Sequence, residues 1–205
     1  MTKTKQDRKT KYFKDYLELN NERLKINAGI DKGIYLEILN RIISQLDTAY
    51  SIHKRLLVVR FDLHLKHYTP DNEVISKFIK RTKQWISRNY KIKNIGYAWV
   101  RELERAKTQH YHLVLLLDGD KIQHPSKLIR RIKETWSDNG HMPVIKNPFY
   151  FIDKDNCQEE RAKAIDRLSY LAKTRGKGYR DPQAKDYGAS RLHSIRLLGI
   201  FTGSS

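Results

Sequence analysis

The chain has 205 residues and a mass of 24.3 kDa, with 41 Lys and Arg against 23 Asp and Glu, a formal net charge of +18 and a pI near 9.9. Hydrophobic residues at 39% and aromatics at 10% are enough for a buried core, which excludes wholesale disorder, and the longest apolar run, Leu113–Leu117, is far too short to span a bilayer. The single cysteine, Cys157, excludes an internal disulfide framework and a cysteine-based zinc finger.

Residues 1–30 read as a basic, partly flexible N-terminal arm: the first 14 carry six Lys or Arg against one Asp, and no apolar stretch of the kind a secretory signal needs. From Tyr35 to Tyr50 apolar residues recur with a 3.6-residue period (Tyr35, Ile38, Leu39, Ile42, Ile43, Leu46, Ala49), which predicts a helix with one buried stripe. Leu56–Leu65 alternates instead, and period two with β-branched content predicts a strand. Pro70-Asp71 opens a second helix with Val74, Ile75, Phe78, Ile79, Trp85 and Ile86 inward. Strands follow at about Ile95–Glu104 and His110–Leu117, and Asp118-Gly119-Asp120 ends the second of them with turn chemistry. Ser126–Trp136 reads as a third amphipathic helix, closed by Asn139-Gly140. Val144–Ile152 reads as a strand that Pro143 and Pro148 restrict to an edge, and 158–175 as a fourth helix with Gly176 as its C-cap. The sum is one α+β domain over 31–192, a central mostly antiparallel sheet flanked by helices, with a C-terminal tail at 193–205. Trp85, Trp99 and Trp136 lie on apolar stripes or strands and read as core.

In a strand, residues two apart share a face, so His110 and His112 point one way and Tyr111 the other. Two imidazoles about 7 Å apart along a strand chelate one metal ion if a third ligand comes from a neighbour, and the preceding strand offers Glu102 and Glu104. A His-His-carboxylate set suits Mn²⁺ or Mg²⁺, with substrate oxygens completing the shell. Downstream, Tyr170 and Lys173 stand at i, i+3 on the fourth helix. A phenol with an ordinary pKa of about 10 needs help to attack a phosphodiester, and a neighbouring ammonium supplies it. Each pattern alone has a plainer reading, as surface histidines or as a boundary tyrosine beside a solvated lysine. Residues 161–185 hold eight Lys or Arg against two Asp, so the tyrosine helix and its glycine loop form a basic ledge in which Arg167, Arg175, Lys177 and Tyr179 are candidate DNA contacts.

Taken in order, the segments RFDLH, YAWVRE, HYHLVLLLDG and RLSYLAKTRGKGY resemble the HUH endonuclease superfamily, specifically single-tyrosine rolling-circle replication initiators of the inovirus type, carried by filamentous phages and prophages. The resemblance implies an RRM-like Rep core, a divalent metal on His110, His112 and Glu102, and Tyr170 as the nucleophile that becomes linked to the 5′ phosphate of nicked DNA, with Lys173 as its helper. Glu102, eight residues before His110, matches the spacing better than Glu104, the fallback on the same face. Asp62 and His64 border the metal or the phosphate on this reading; Asp62 could equally pair with Arg60 and have no catalytic part. His64 and His67 as a second metal site are disfavoured, because a spacing of three in a strand puts them on opposite faces. Tyr179, beyond Gly176 and Gly178, reads as a stacking or surface residue rather than a second nucleophile. The implied partners are single-stranded or hairpin origin DNA and, since no Walker sequence is present, a host helicase and replication machinery in the cytoplasm, with no membrane. The alternatives are a single-tyrosine transposase or relaxase-type strand transferase, for which Tyr12 and Tyr16 are weak N-terminal nucleophiles, and a non-catalytic DNA-binding regulator.

Overall fold

The alternating segment at the start of the domain becomes the strand on which the sheet is built. The computed structural model describes residues 10–28, 33–103, 109–153 and 157–192. In chain order its elements are β1 (Lys11–Tyr12), β2 (Tyr16–Leu19), β3 (Glu22–Lys25), β4 (Ile34–Tyr35), α1 (Leu36–Ile52), β5 (Arg55–Leu65), α2 (Glu73–Tyr90), β6 (Gly96–Glu102) and β7 (His110–Asp118). There follow α3 (Ser126–Trp136), β8 (Gly140–His141), β9 (Phe149–Asp153), α4 (Cys157–Ser169), a single 3₁₀ turn at Tyr170–Ala172, and β10 (Tyr187–Ala189). The fold is α+β, with a six-stranded antiparallel sheet in the order β10-β6-β7-β5, its far edge completed by β8 and β9, which pair with opposite ends of β5.

Each face of this sheet is covered. Leu57, Val59, Phe61, Leu63 and Leu65 of β5, with Trp99, Tyr111, Leu113, Leu115 and Leu117, point to α2 and α3 and bury Phe78, Leu128, Ile132 and Trp136. The opposite face, with Leu56, Val58, Ala98, Val100, Val114 and Leu116, packs on Ile38, Leu39, Ile42 and Leu46 of α1 and on Ala164, Ile165 and Leu168 of α4. Each fully buried Leu or Ile side chain contributes about 1.5–3 kcal/mol, so the two layers hold the strands in one register. Trp99 and Trp136 are core, as their positions predict, and Trp85 is half-buried at its edge.

Three boundaries differ from the sequence reading. The first 30 residues are not simply an arm: β2 and β3 pair, and Leu17, Leu24, Ile26 and Ala28 join the core under α1 and α4. Strands of two to four residues are too short to show a period, so neither they nor β4, β8 and β10 were legible. The edge strand begins only at Phe149, because Pro148 cannot continue a ladder. The Pro148 carbonyl instead accepts the Arg60 N–H at 2.7 Å, and Val144 is left 95% exposed. The fourth helix stops at Ser169, well short of 175, because Lys173 is extended and both Gly176 and Gly178 take positive φ (73° and 88°).

One glycine fixes an edge of the sheet. A Cβ on Gly188 of β10 would lie 2.7 Å from the indole of Trp99, its partner across the ladder. Gly188→Ala is therefore expected to lose about 1–3 kcal/mol through overpacking, read as a lower midpoint in urea.

Candidate active site

The face that packs on α1 and α4 is apolar over only half its length. Toward the end of β6, the start of β7 and the end of β5, the same face carries Arg60, Asp62, His64, Glu102, His110 and His112. The ladder sets Glu102 opposite His110, Asp62 opposite His112 and His64 opposite His110. This brings Glu102, His110 and His112 together from two neighbouring strands, with one ligand atom from each within 4.8 Å of the others. Glu102 Oε2 lies 3.3 Å from Nε2 of both imidazoles. Glu104, the fallback ligand, lies outside the described residues.

Around these three groups the polar contacts are directional. Asp62 accepts the His112 Nδ1–H at 2.7 Å, which fixes the tautomer and turns the Nε2 lone pair toward Glu102. His112 Nε2 is buried and has no hydrogen-bond partner. A buried acceptor left unpaired beside a carboxylate and a second imidazole fits a metal ion, and the nitrogen–nitrogen–oxygen donor set suits Mn²⁺ or Mg²⁺ with positions left for substrate oxygens. Burial opposes ionisation of Asp62, but the His112 hydrogen bond and the Arg60 charge outweigh it and pull its carboxyl down to about 2. Glu102 is likewise held far below the usual carboxylate range, with burial overcome by both imidazoles and by Lys177. For His112 burial disfavours the charged form, yet Asp62 and Glu102 raise it above the ordinary imidazole value, so a proton and a cation compete for Nε2, 3.3 Å from Glu102 Oε2. Both readings of Asp62 thus hold at once: Arg60 donates to it from Nε (3.1 Å) and Nη2 (3.2 Å), and it also orients a candidate ligand. Asp62→Asn is expected to weaken divalent-metal affinity about 10- to 100-fold, measured by Mn²⁺ titration.

His64 extends the group into a row. Its ring stacks on His110 (centroids 4.9 Å apart) and on His141 of β8 (4.7 Å), and burial together with these neighbours lowers its pKa. His141 carried no strand signal in the sequence, because β8 is only two residues long.

Tyr170 arrives at this face from the exit of α4. Its ring meets His112 edge-on at 5.7 Å and carries two cations over it, Arg60 (4.9 Å) and Lys173 (4.7 Å). Tyrosine and lysine are therefore neighbours, although the turn between them is 3₁₀ rather than α-helical. Tyr170 is 37% exposed, so its ring borders solvent as well as the imidazoles. The segment is braced from the N-terminal side: the Asn27 N–H donates to Ser169 Oγ (2.7 Å), Ile34 bridges Lys173, and the Thr174 N–H donates to the Gly33 carbonyl.

The candidate DNA contacts divide. Tyr179 (54% exposed) and Arg175 face solvent, and Arg167 is half-buried with Nη2 on the Lys146 carbonyl. Lys177 does not belong with them. Its side chain is buried, and its ammonium donates to Glu102 Oε1 at 2.6 Å, because the turn at Gly176 folds the loop back over β6. Desolvation lowers its pKa, and Glu102 opposes that shift. Arg60, His141 and Lys177 are thus the residues whose place in the site the sequence did not reveal. Among the described residues no helix is long and apolar enough to cross a membrane.

Comparison with known proteins places the whole of this arrangement inside one homologous region. Residues 17–190 match the family described as the YagK/YfjJ C-terminal domain. "Uncharacterized protein YfjJ" of Escherichia coli strain K12 is 24% identical over 193 residues, covering 74% of this chain and 92% of that protein. With the match running from β2 through β10 and taking in every residue from Arg60 to Lys177, the chain belongs to the YagK/YfjJ C-terminal domain family.

Proposed function

We propose that this protein is a metal-dependent endonuclease and strand transferase of the HUH type, which nicks one DNA strand at an origin to start rolling-circle replication. The observation that carries the reading is the convergence of a Glu102–His110–His112 ligand set with the ring of Tyr170, from three separate segments, on one sheet face. When bound, a divalent ion supplies Lewis-acid polarisation of a non-bridging phosphate oxygen. Tyr170 Oη attacks phosphorus, the Oη–P bond forms, and the P–O3′ bond breaks. The tyrosine proton departs and the leaving 3′ oxygen takes one up. The resulting 5′-phosphotyrosine keeps the energy of the broken bond for rejoining. Lys173, whose ammonium lies over the ring, offsets charge that develops on the phosphate. Asp62 holds the His112 tautomer, and Arg60 holds both Asp62 and the tyrosine ring. The surplus of positive charge, with Arg175 and Tyr179 on the surface beyond the tyrosine, supports a single-stranded or hairpin DNA substrate. Unwinding falls to a host helicase in the cytoplasm.

The test is a covalent-adduct assay. Labelled single-stranded fragments tiling the protein's own genetic locus are incubated with the full chain in Mn²⁺ or in EDTA and run on a denaturing gel. A shifted band in Mn²⁺ that vanishes in EDTA is the expected result. Tight, salt-sensitive binding without any adduct would favour a DNA-binding regulator.

A further inference from the structure

Lys177 takes no part in the steps above, yet it is among the most completely buried charged groups in the described chain, with a side-chain exposure of 0%. Its ammonium donates to two acceptors, Glu102 Oε1 at 2.6 Å and the Lys173 carbonyl at 2.5 Å. It therefore touches the ligand carboxylate and the end of the tyrosine turn at once. The loop that carries it is pressed onto β6: the Leu103 N–H donates to the Gly176 carbonyl at 2.8 Å, and a Cβ on Gly176 would lie 3.2 Å from Glu102 Cβ. A lysine is seldom withdrawn so far from water, because its hydration has to be replaced by ideal partners. Solvation and packing alone would be served as well by an apolar side chain here.

Two consequences follow for a cation. Among the described residues the carboxylates that reach the imidazoles are Glu102 and Asp62, and each is already matched by a cation, Lys177 and Arg60. Among the described residues, a divalent ion thus meets no surplus negative charge. In addition, Oε1 of Glu102 is engaged by Lys177, so only Oε2 faces the two Nε2 atoms. Both effects weaken the hold of the free protein on metal, and a substrate phosphodiester brings the negative charge that is missing. We infer that Lys177 is a positioning residue that keeps metal affinity low in the free protein and ties metal binding to the arrival of a phosphodiester. This rests on the metal-dependent nicking reading.

The test is Mn²⁺ binding, followed by the paramagnetic signal of the free ion, to the full-length wild type and to Lys177→Met, with and without a short mixed-sequence single strand. A purely structural lysine would loosen the loop when lost and weaken Mn²⁺ binding. The inference requires the opposite sign: Lys177→Met binds Mn²⁺ about tenfold more tightly, and the tightening that DNA produces in the wild type, within a coupling of about 5- to 150-fold, shrinks in the variant. Lys177→Gln retains a hydrogen-bond donor without the charge, and it carries the same expectation should the methionine variant fold poorly. Equal or weaker Mn²⁺ binding in the variants, with wild-type binding lost in His112→Ala, would overturn the role of Lys177 and leave the metal site standing. Absence of Mn²⁺ binding in every form, DNA present or not, would overturn the metal-dependent reading itself.

Discussion

Tyr170→Phe is expected to remove the covalent DNA adduct completely while DNA binding and thermal stability stay nearly unchanged. Phenylalanine retains the ring, and it is the ring that meets Arg60, Lys173 and the edge of His112. The contacts that hold the segment, Asn27 to Ser169 and Gly33 to Thr174, do not involve the hydroxyl. The substitution therefore subtracts one oxygen from the chemistry and little from the fold. A denaturing gel reads the first and a thermal melt the second. An adduct that survives Tyr170→Phe would move the nucleophile elsewhere, with Tyr179 the first alternative because it is exposed on the following loop.

Glu102→Gln is expected to be the most damaging single change in the site, costing about 3–5 kcal/mol of stability and all measurable Mn²⁺ binding. Glutamine matches the shape of glutamate but leaves the Lys177 ammonium buried against a neutral amide, and breaking one half of a buried pair exposes the full cost of the other half's lost hydration. It also removes the only charged ligand of the three. The double variant Glu102→Gln/Lys177→Met separates the two losses. With both charges gone, stability measured by urea unfolding returns toward the wild type, whereas Mn²⁺ binding stays absent. A double variant as unstable as Glu102→Gln alone would mean that the stability loss does not come from a stranded charge.

The long periodic elements were legible because period and burial agree. α3 begins and ends at Ser126 and Trp136 as its apolar spacing predicts, β5 follows from alternation, and β7 from its apolar run Leu113–Leu117 closed by the Asp118-Gly119-Asp120 turn. The placement of His110 and His112 on one face, with Glu102 across the ladder, follows from the same period-two rule and from hairpin pairing of consecutive strands. What could not be read depended on where the chain turns back. The 3₁₀ exit at Tyr170 and the positive φ at Gly176 send Lys177 inward, and nothing in RGKG distinguishes a buried lysine from a solvated one. Arg60 presents a similar case, since a charged residue in an alternating strand normally marks the solvent side. Here that face is apolar at Val58 and polar from Arg60 onward, a change of character partway along one strand that depends on how far α1 and α4 reach. The N-terminal strands were masked by the lysines around them.

β5 collects partners from distant parts of the chain: its first residues pair with Phe149–Asp153, its whole length with His110–Asp118, and its last two with Gly140–His141. Each pairing closes a long loop before the ladder rewards it, which slows folding relative to a fold built from local hairpins. During synthesis the Glu102, His110 and His112 segment emerges well before β9, the tyrosine turn and Lys177 exist. A nascent chain therefore spends an interval with the β5 edge open to pairing with other chains. On the proposed mechanism it cannot yet nick DNA over that interval, because Tyr170 is made after the three candidate ligands.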